Sequence, residues 1–192
     1  MNPLLTKEEY QAIAVSLEFP TTAFIDGGYR NSTSGETFDS VNPATGELIT
    51  PISACSSADV DIAVSKARES FDDGRWCKLH PSVRKNVLIR FAKLIKRNAR
   101  ELAVMESLDS GKPIADCETI DVPEAINTLL WHAEAIDKLY DQTAPVGDDA
   151  MAFVVREPIG VVAAVLPCLE LRRLSDQRLG LDSFDPHFGA LR

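Results

Sequence analysis

The run Val161-Val162-Ala163-Ala164-Val165-Leu166 is six apolar residues long without a polar interruption. A strand with one face in water alternates apolar and polar residues, so an unbroken run suits a strand covered on both faces, as in a parallel sheet. Helical periodicities stand upstream of it, and the two together predict an α/β fold. At 192 residues the chain is long enough for one compact domain with a self-supporting core.

The upstream segments divide by their periods. Leu4, Leu5, Tyr10, Ile13 and Leu17 keep a broken helical spacing and predict a short amphipathic arm over 1–20, ending before Pro20. Ala23-Phe24-Ile25-Asp26-Gly27-Gly28-Tyr29 places a Gly-Gly pair after a short apolar strand and predicts a hairpin. Thr37 to Val41 and Glu47 to Ile52 read as strands around the turn cluster Asn42-Pro43-Ala44-Thr45-Gly46, and together these predict a small antiparallel layer.

Three amphipathic helices follow. Ser56 with Asp59 reads as a capping box for a helix that carries Val60, Ala63, Val64, Ala67 and Phe71 and stops near Gly74. Pro81 opens a longer helix that keeps apolar spacing from Val83 through Met105 and ends at Gly111. Asp121, Pro123 and Glu124 predict the start of the third, which carries Ile126, Leu129, Leu130, Ala133 and Ile136. Residues Ala150 to Arg156 then read as a strand and Glu157-Pro158-Ile159-Gly160 as a turn.

Composition excludes several classes. A formal net charge of -9 repels phosphate backbones, so no nucleic acid is expected as a partner. No secretory leader pattern opens the chain and its longest apolar run, Ile159 to Pro167, is too short to span a bilayer, so no membrane role is expected and the chain reads as soluble and cytosolic. Cys55, Cys77, Cys117 and Cys168 form no C-x-x-C pair, and His80, His132 and His187 form no ligand grouping, which argues against zinc and against a disulfide framework. The basic residues from Arg84 to Arg100 have acidic neighbours and read as a solvated helix face.

Four strings carry a resemblance: Phe24-Ile25-Asp26-Gly27-Gly28, Val41-Asn42-Pro43-Ala44-Thr45-Gly46-Glu47, Leu108-Asp109-Ser110-Gly111-Lys112-Pro113, and Arg156-Glu157-Pro158-Ile159-Gly160-Val161-Val162. In this order and spacing they resemble the NAD(P)-dependent aldehyde dehydrogenases, over about Phe24 to Pro167. Ala133-Glu134-Ala135-Ile136-Asp137-Lys138-Leu139-Tyr140 looks most like members acting on γ-glutamyl-aminobutyraldehyde and related ω-amino aldehydes. The resemblance implies the N-terminal part of that fold: an antiparallel hairpin layer, three amphipathic helices, oligomerisation strands, and the first strand of a Rossmann-like sheet.

In the family a cysteine thiolate attacks the aldehyde, hydride passes to the nicotinamide, and a glutamate-activated water releases the acid. The resemblance places the nucleophile, the general base and the pyrophosphate loop further along than Pro167. Family members also continue the apolar strand into Pro-Trp-Asn-Phe-Pro, whose asparagine stabilises the oxyanion, whereas here Cys168-Leu169-Glu170-Leu171 follows Pro167. No catalytic residue is therefore assigned, and the chain alone is expected to be inactive. Leu166 and Pro167 align with positions beside the nicotinamide, as vestiges of a site for NAD or NADP that this chain is expected not to bind.

Two further expectations follow. Asp109 matches a family aspartate that helps bind a structural monovalent cation with a backbone carbonyl at Ser40 or Val41; the alternative is that Asp109 only helps end its helix. Residues 150–157 resemble strands that join subunits, giving a rival reading as a non-catalytic module that forms homo- or hetero-oligomers with full-length relatives. The chain thus divides into an arm over 1–20, an incomplete dehydrogenase region over 21–167, and an anomalous tail over 168–192. That tail has four arginines and no Lys, Val or Ile, which predicts a frameshifted or truncated end.

Overall fold

The computed structural model describes residues 3–165. Helix α1 (Lys7–Ser16) forms the expected arm. It starts at Thr6, whose backbone N–H donates to the Glu9 carboxylate (2.8 Å) while its hydroxyl accepts from the Glu9 N–H (3.3 Å). The reciprocal cap lets the helix start without help from the rest of the chain.

Strands β1 (Ala23–Ile25) and β2 (Gly28–Arg30) pair antiparallel with Ile25 opposite Gly28. The turn is therefore Asp26-Gly27, at φ 56° and 76°, rather than the Gly27-Gly28 pair. A two-residue hairpin loop of this hand needs positive φ at both central positions, which aspartate and glycine tolerate. Strands β3 (Thr37–Val41) and β4 (Leu48–Ser53) form a second hairpin with a bulge at Ser40/Val41. Its turn is closed by Asn42, whose side chain accepts from the Ala44 N–H at 2.9 Å and whose N–H donates to the Glu47 carbonyl at 2.9 Å. The β3–β4 pair is the small antiparallel layer expected over 37–52, and the two hairpins do not merge. They stay two-stranded sheets, linked where the Ser53 N–H donates to the Thr21 carbonyl (2.8 Å).

Helix α2 (Ser57–Asp72) begins where expected, with the Ser56 N–H donating to Asp59 (2.8 Å), and ends at Gly74 in the left-handed region. The long helix expected from Pro81 to Gly111 is two: α3 (Pro81–Arg97) and α4 (Ala99–Ser110). The break is Asn98 (φ -103°, ψ 22°), whose side-chain amide donates to the Leu94 carbonyl (3.0 Å) and so competes with the main-chain ladder.

The third expected helix starts earlier. Pro113 precedes α5 (Ile114–Asp116), a π-helical turn (Cys117–Asp121) and α6 (Val122–Ala135), which run on as one rod. Asp121 is consequently no cap: it has helical dihedrals and is fully buried. Strand β5 (Gln142–Ala144), which was not expected, pairs antiparallel with β6 (Ala152–Val154), the middle of the strand expected over 150–156. Residues 161–165, expected as the opening of a buried parallel strand, form no strand, and Val162 and Val165 are exposed. A parallel strand needs neighbours to complete its hydrogen bonds and cover both faces, and no described residue pairs with this segment.

The core lies among α3, α4, the π turn and α6. Ala103, Cys117 and Val122 are at its centre, with Ile95, Ala99, Leu102, Ile114 and Ile126 around them. Small side chains let the helices approach closely, but they bury little area, and Phe91, Trp131, Phe153 and Val155 stay exposed. Among the described residues no helix is long and apolar enough to cross a membrane.

Candidate functional site

The Leu108-to-Pro113 string is where the β3–β4 hairpin meets α4, and each of its polar residues has a task there. Asp109, exposed at the end of α4, accepts from the Ser40 hydroxyl at 2.9 Å, beside the β3 bulge. Gly111 turns the chain at φ 71°, and a Cβ there would lie 2.8 Å from Pro43 Cγ, so the hairpin turn sits directly on the helix end. The Ser110 hydroxyl accepts from the Lys112 N–H (3.1 Å) and the Ser107 hydroxyl donates to the Lys112 carbonyl (2.7 Å). Pro113 then starts the next helix.

Held this way, the Lys112 ammonium reaches inward to the buried Asp121 carboxylate, 2.5 Å away. Glu106 and Cys117 stand around the same point: carboxylate and thiol atoms of Glu106, Cys117 and Asp121 lie within 4.8 Å of one another. Three such donors can hold a cation, but the Lys112 ammonium already supplies the positive charge. Burial first, then the negative charges of Glu106 and Asp121, push the Cys117 thiol up to about 11, with Lys112 opposing. A thiol held protonated at neutral pH is no nucleophile.

The other candidate residues are dispersed. Cys55 is exposed, and Cys77 is half-buried with its thiol 3.7 Å from the Phe71 carbonyl. His80 caps α3, accepting from the Ser82 N–H (3.3 Å). His132 packs edge-on against Trp131 (centroids 4.9 Å apart), and burial lowers its pKa. Both are structural. Of the basic residues on α3 and α4, Lys85 meets Glu134 (2.7 Å) and Asp137 (3.2 Å), and Arg100 meets Glu118 (3.2 Å). Arg156, from the last of the four strings, donates to the Tyr140 carbonyl (2.5 Å) and fastens the exit of β6 to the entrance of β5.

The structure thus brings Asp109 and Ser40 together, next to Val41. Leu166, Pro167, Cys168 and His187, with the anomalous tail, lie outside the described residues. The Lys112–Asp121 pair went unread in the sequence because Asp121, with Pro123 and Glu124 after it, imitates a helix start. The usable signal was Pro113, which can open a helix eight residues earlier.

Comparison with known proteins agrees with this architecture. The model of the aldehyde dehydrogenase family matches residues 29–168. The chain belongs to the aldehyde dehydrogenase family. It is 59% identical over 167 residues to aminoacetaldehyde dehydrogenase of Pseudomonas aeruginosa, covering 87% of this chain and 34% of that protein. It is 41% identical over 158 residues to the NADP/NAD-dependent aldehyde dehydrogenase PuuC of Escherichia coli, covering 82% and 32%. Among solved structures it superposes on the aldehyde dehydrogenase KauB of P. aeruginosa with a TM-score of 0.80 at 46% identity, over 82% of this chain and 32% of KauB. The γ-glutamyl-γ-aminobutyraldehyde dehydrogenase of Burkholderia cenocepacia gives 0.80 at 45% identity, over 81% and 32%. The likeness to aminoaldehyde dehydrogenases read from residues 133–140 therefore holds, and so does the N-terminal placement within the fold. The chain spans about a third of the length of the relatives it matches.

Proposed function

We propose that this chain is a non-catalytic portion of an aminoaldehyde-oxidising, NAD(P)-dependent dehydrogenase, and that alone it neither binds the dinucleotide productively nor oxidises an aldehyde. The observation that carries this is the state of its thiols. Among the described residues the cysteine set among charged groups, Cys117, is buried and held protonated, so it cannot add to a carbonyl. A dinucleotide needs backbone N–H groups converging on its pyrophosphate, usually from a glycine-rich turn at a helix N-terminus. The described helices open at Thr6, Ser56, His80, Asn98 and Pro113, none of them preceded by a glycine-rich turn. The described residues do not fit the cofactor. Titrating the full chain with NAD and NADP while following Trp76 and Trp131 fluorescence should give no saturable change; micromolar saturation would refute the reading.

The same reading divides the chain into an arm over 1–20, the dehydrogenase region over 21–167 and a tail over 168–192. It also assigns Asp109, with a backbone carbonyl at Ser40 or Val41, to a hard monovalent cation, a donor set of oxygens that suits one. We place the chain in the cytoplasm, where thiols stay reduced; the described cysteines form no disulfide.

The second reading, an interaction module, rests on the β5–β6 hairpin. It is only two-stranded, and Met151, Phe153, Val154 and Val155 are all exposed on it. Such strands pair readily with another chain. Pairing through 150–157 would yield homo-oligomers or mixed oligomers with full-length relatives. Co-expression with a tagged full-length relative tests it: co-purification lost in Phe153→Lys supports the module, and its absence refutes it.

A further inference from the structure

The arm is joined to the helical layer in an unusual way. Helix α1 buries none of its residues, and Val15 is 89% exposed. Its own cap, Thr6 with Glu9, lies within the arm. The described side-chain hydrogen bonds between arm and layer all pass through two residues. The Tyr10 hydroxyl donates to Glu118 Oε2 (2.6 Å), Arg100 Nε donates to Glu118 Oε1 (3.2 Å), and Arg100 Nη2 donates to the Pro3 carbonyl (3.1 Å). The Leu5 N–H completes the set by donating to the Tyr10 hydroxyl (3.2 Å).

Glu118 stands on the π turn, with a side chain only 11% exposed. The neighbouring Cys117 and Asp121 are fully buried in the core, so the extra residue of the turn lets one short segment serve both sides. Beyond α1 the chain is fixed again at Thr21, through the bond from Ser53. Between Ser16 and Thr21 no regular element intervenes.

We propose that residues 3–20 are a detachable strap, released from α4 and the π turn as one unit while the helical layer stays folded, with the Glu118 carboxylate as its catch. A segment with its own cap, little buried surface and one convergent polar anchor opens at a fraction of the free energy of global unfolding. Release uncovers the half-buried sides of Leu5, Tyr10, Ile13 and Leu17.

Hydrogen exchange read by mass spectrometry on the full chain tests this, comparing the native sequence with Glu118→Ala and Tyr10→Phe. Peptides covering 3–17 should exchange faster than those covering 99–110 in the native chain. Glu118→Ala should accelerate them further by roughly tenfold to a hundredfold, the effect of losing hydrogen bonds to a charged group. Tyr10→Phe should do so by less, and residues 99–110 and 122–135 should not change in either variant. If Glu118→Ala does not fold, Tyr10→Phe carries the test alone. Exchange of α1 in step with α4 in every protein, or no acceleration of α1 in either folded variant, would overturn the proposal.

Discussion

Replacing Lys112 by methionine removes a charge from the centre of the fold while keeping most of the side-chain volume. Asp121 is 0% exposed and its Oδ2 lies 2.5 Å from the Lys112 ammonium, with Glu106 close by. Removing one partner of a buried ion pair leaves the other charge without water and without compensation, which costs about 3–5 kcal/mol. Whole domains are stable by about 5–15 kcal/mol, so the loss is a large fraction of what there is. With a urea dependence of about 2 kcal/mol/M, the midpoint should fall by roughly 2 M. Lys112→Met/Asp121→Asn should recover much of it, because the orphaned charge is gone. Urea titrations by circular dichroism on the native chain, both singles and the double variant would measure the coupling. A Lys112→Met variant within about 1 kcal/mol of the native chain, or a double variant as unstable as that single, would refute the assigned role.

Three more outcomes follow from the geometry. The unfolded Cys117 thiol loses its proton near 9.0 and the folded one at about 11. The protonated form therefore favours the folded state, and stability is present below pH 9 and lost as pH rises toward 11. The gap corresponds to about 3 kcal/mol, measurable as the difference in alkaline destabilisation between the native chain and Cys117→Ala. At the other end of the scale, backbone hydrogen bonds from Ser56 first and Thr33 next depress the Asp59 carboxyl. That stability is present at neutral pH and lost as pH falls through the carboxylate range, so Asp59→Asn should flatten the acid limb of a thermal-shift profile. Gly111→Ala should lower stability by about 2 kcal/mol or more in urea titration, since it combines left-handed strain with a 2.8 Å approach to Pro43.

What the sequence disclosed, and what it hid, can be traced to the range of the interactions involved. Ser56 with Asp59, Pro81 and Gly111 act on backbone within a turn of themselves, and all three mark the boundaries read from them. Asn98 was passed over because the apolar spacing on either side of it suits one helix as well as two. Asp121 misled for the opposite reason: a capping pattern is local, whereas Lys112, Glu106 and Cys117 give that carboxylate its role from other segments. Val161 to Leu166 has the composition of a doubly covered strand, but coverage comes from neighbours, and its described part has none. The family strings were legible as strings. That Asp109 binds Ser40, Gly111 abuts Pro43 and Lys112 reaches Asp121 required coordinates.

The most direct test is turnover by the purified 192-residue chain, incubated with NAD or NADP and an ω-amino aldehyde and followed by nicotinamide absorbance and intact mass. The account predicts no reduced cofactor above an enzyme-free control and no acyl adduct on any cysteine, Cys168 included. Sustained cofactor reduction with a transient acyl mass on this chain alone would contradict it.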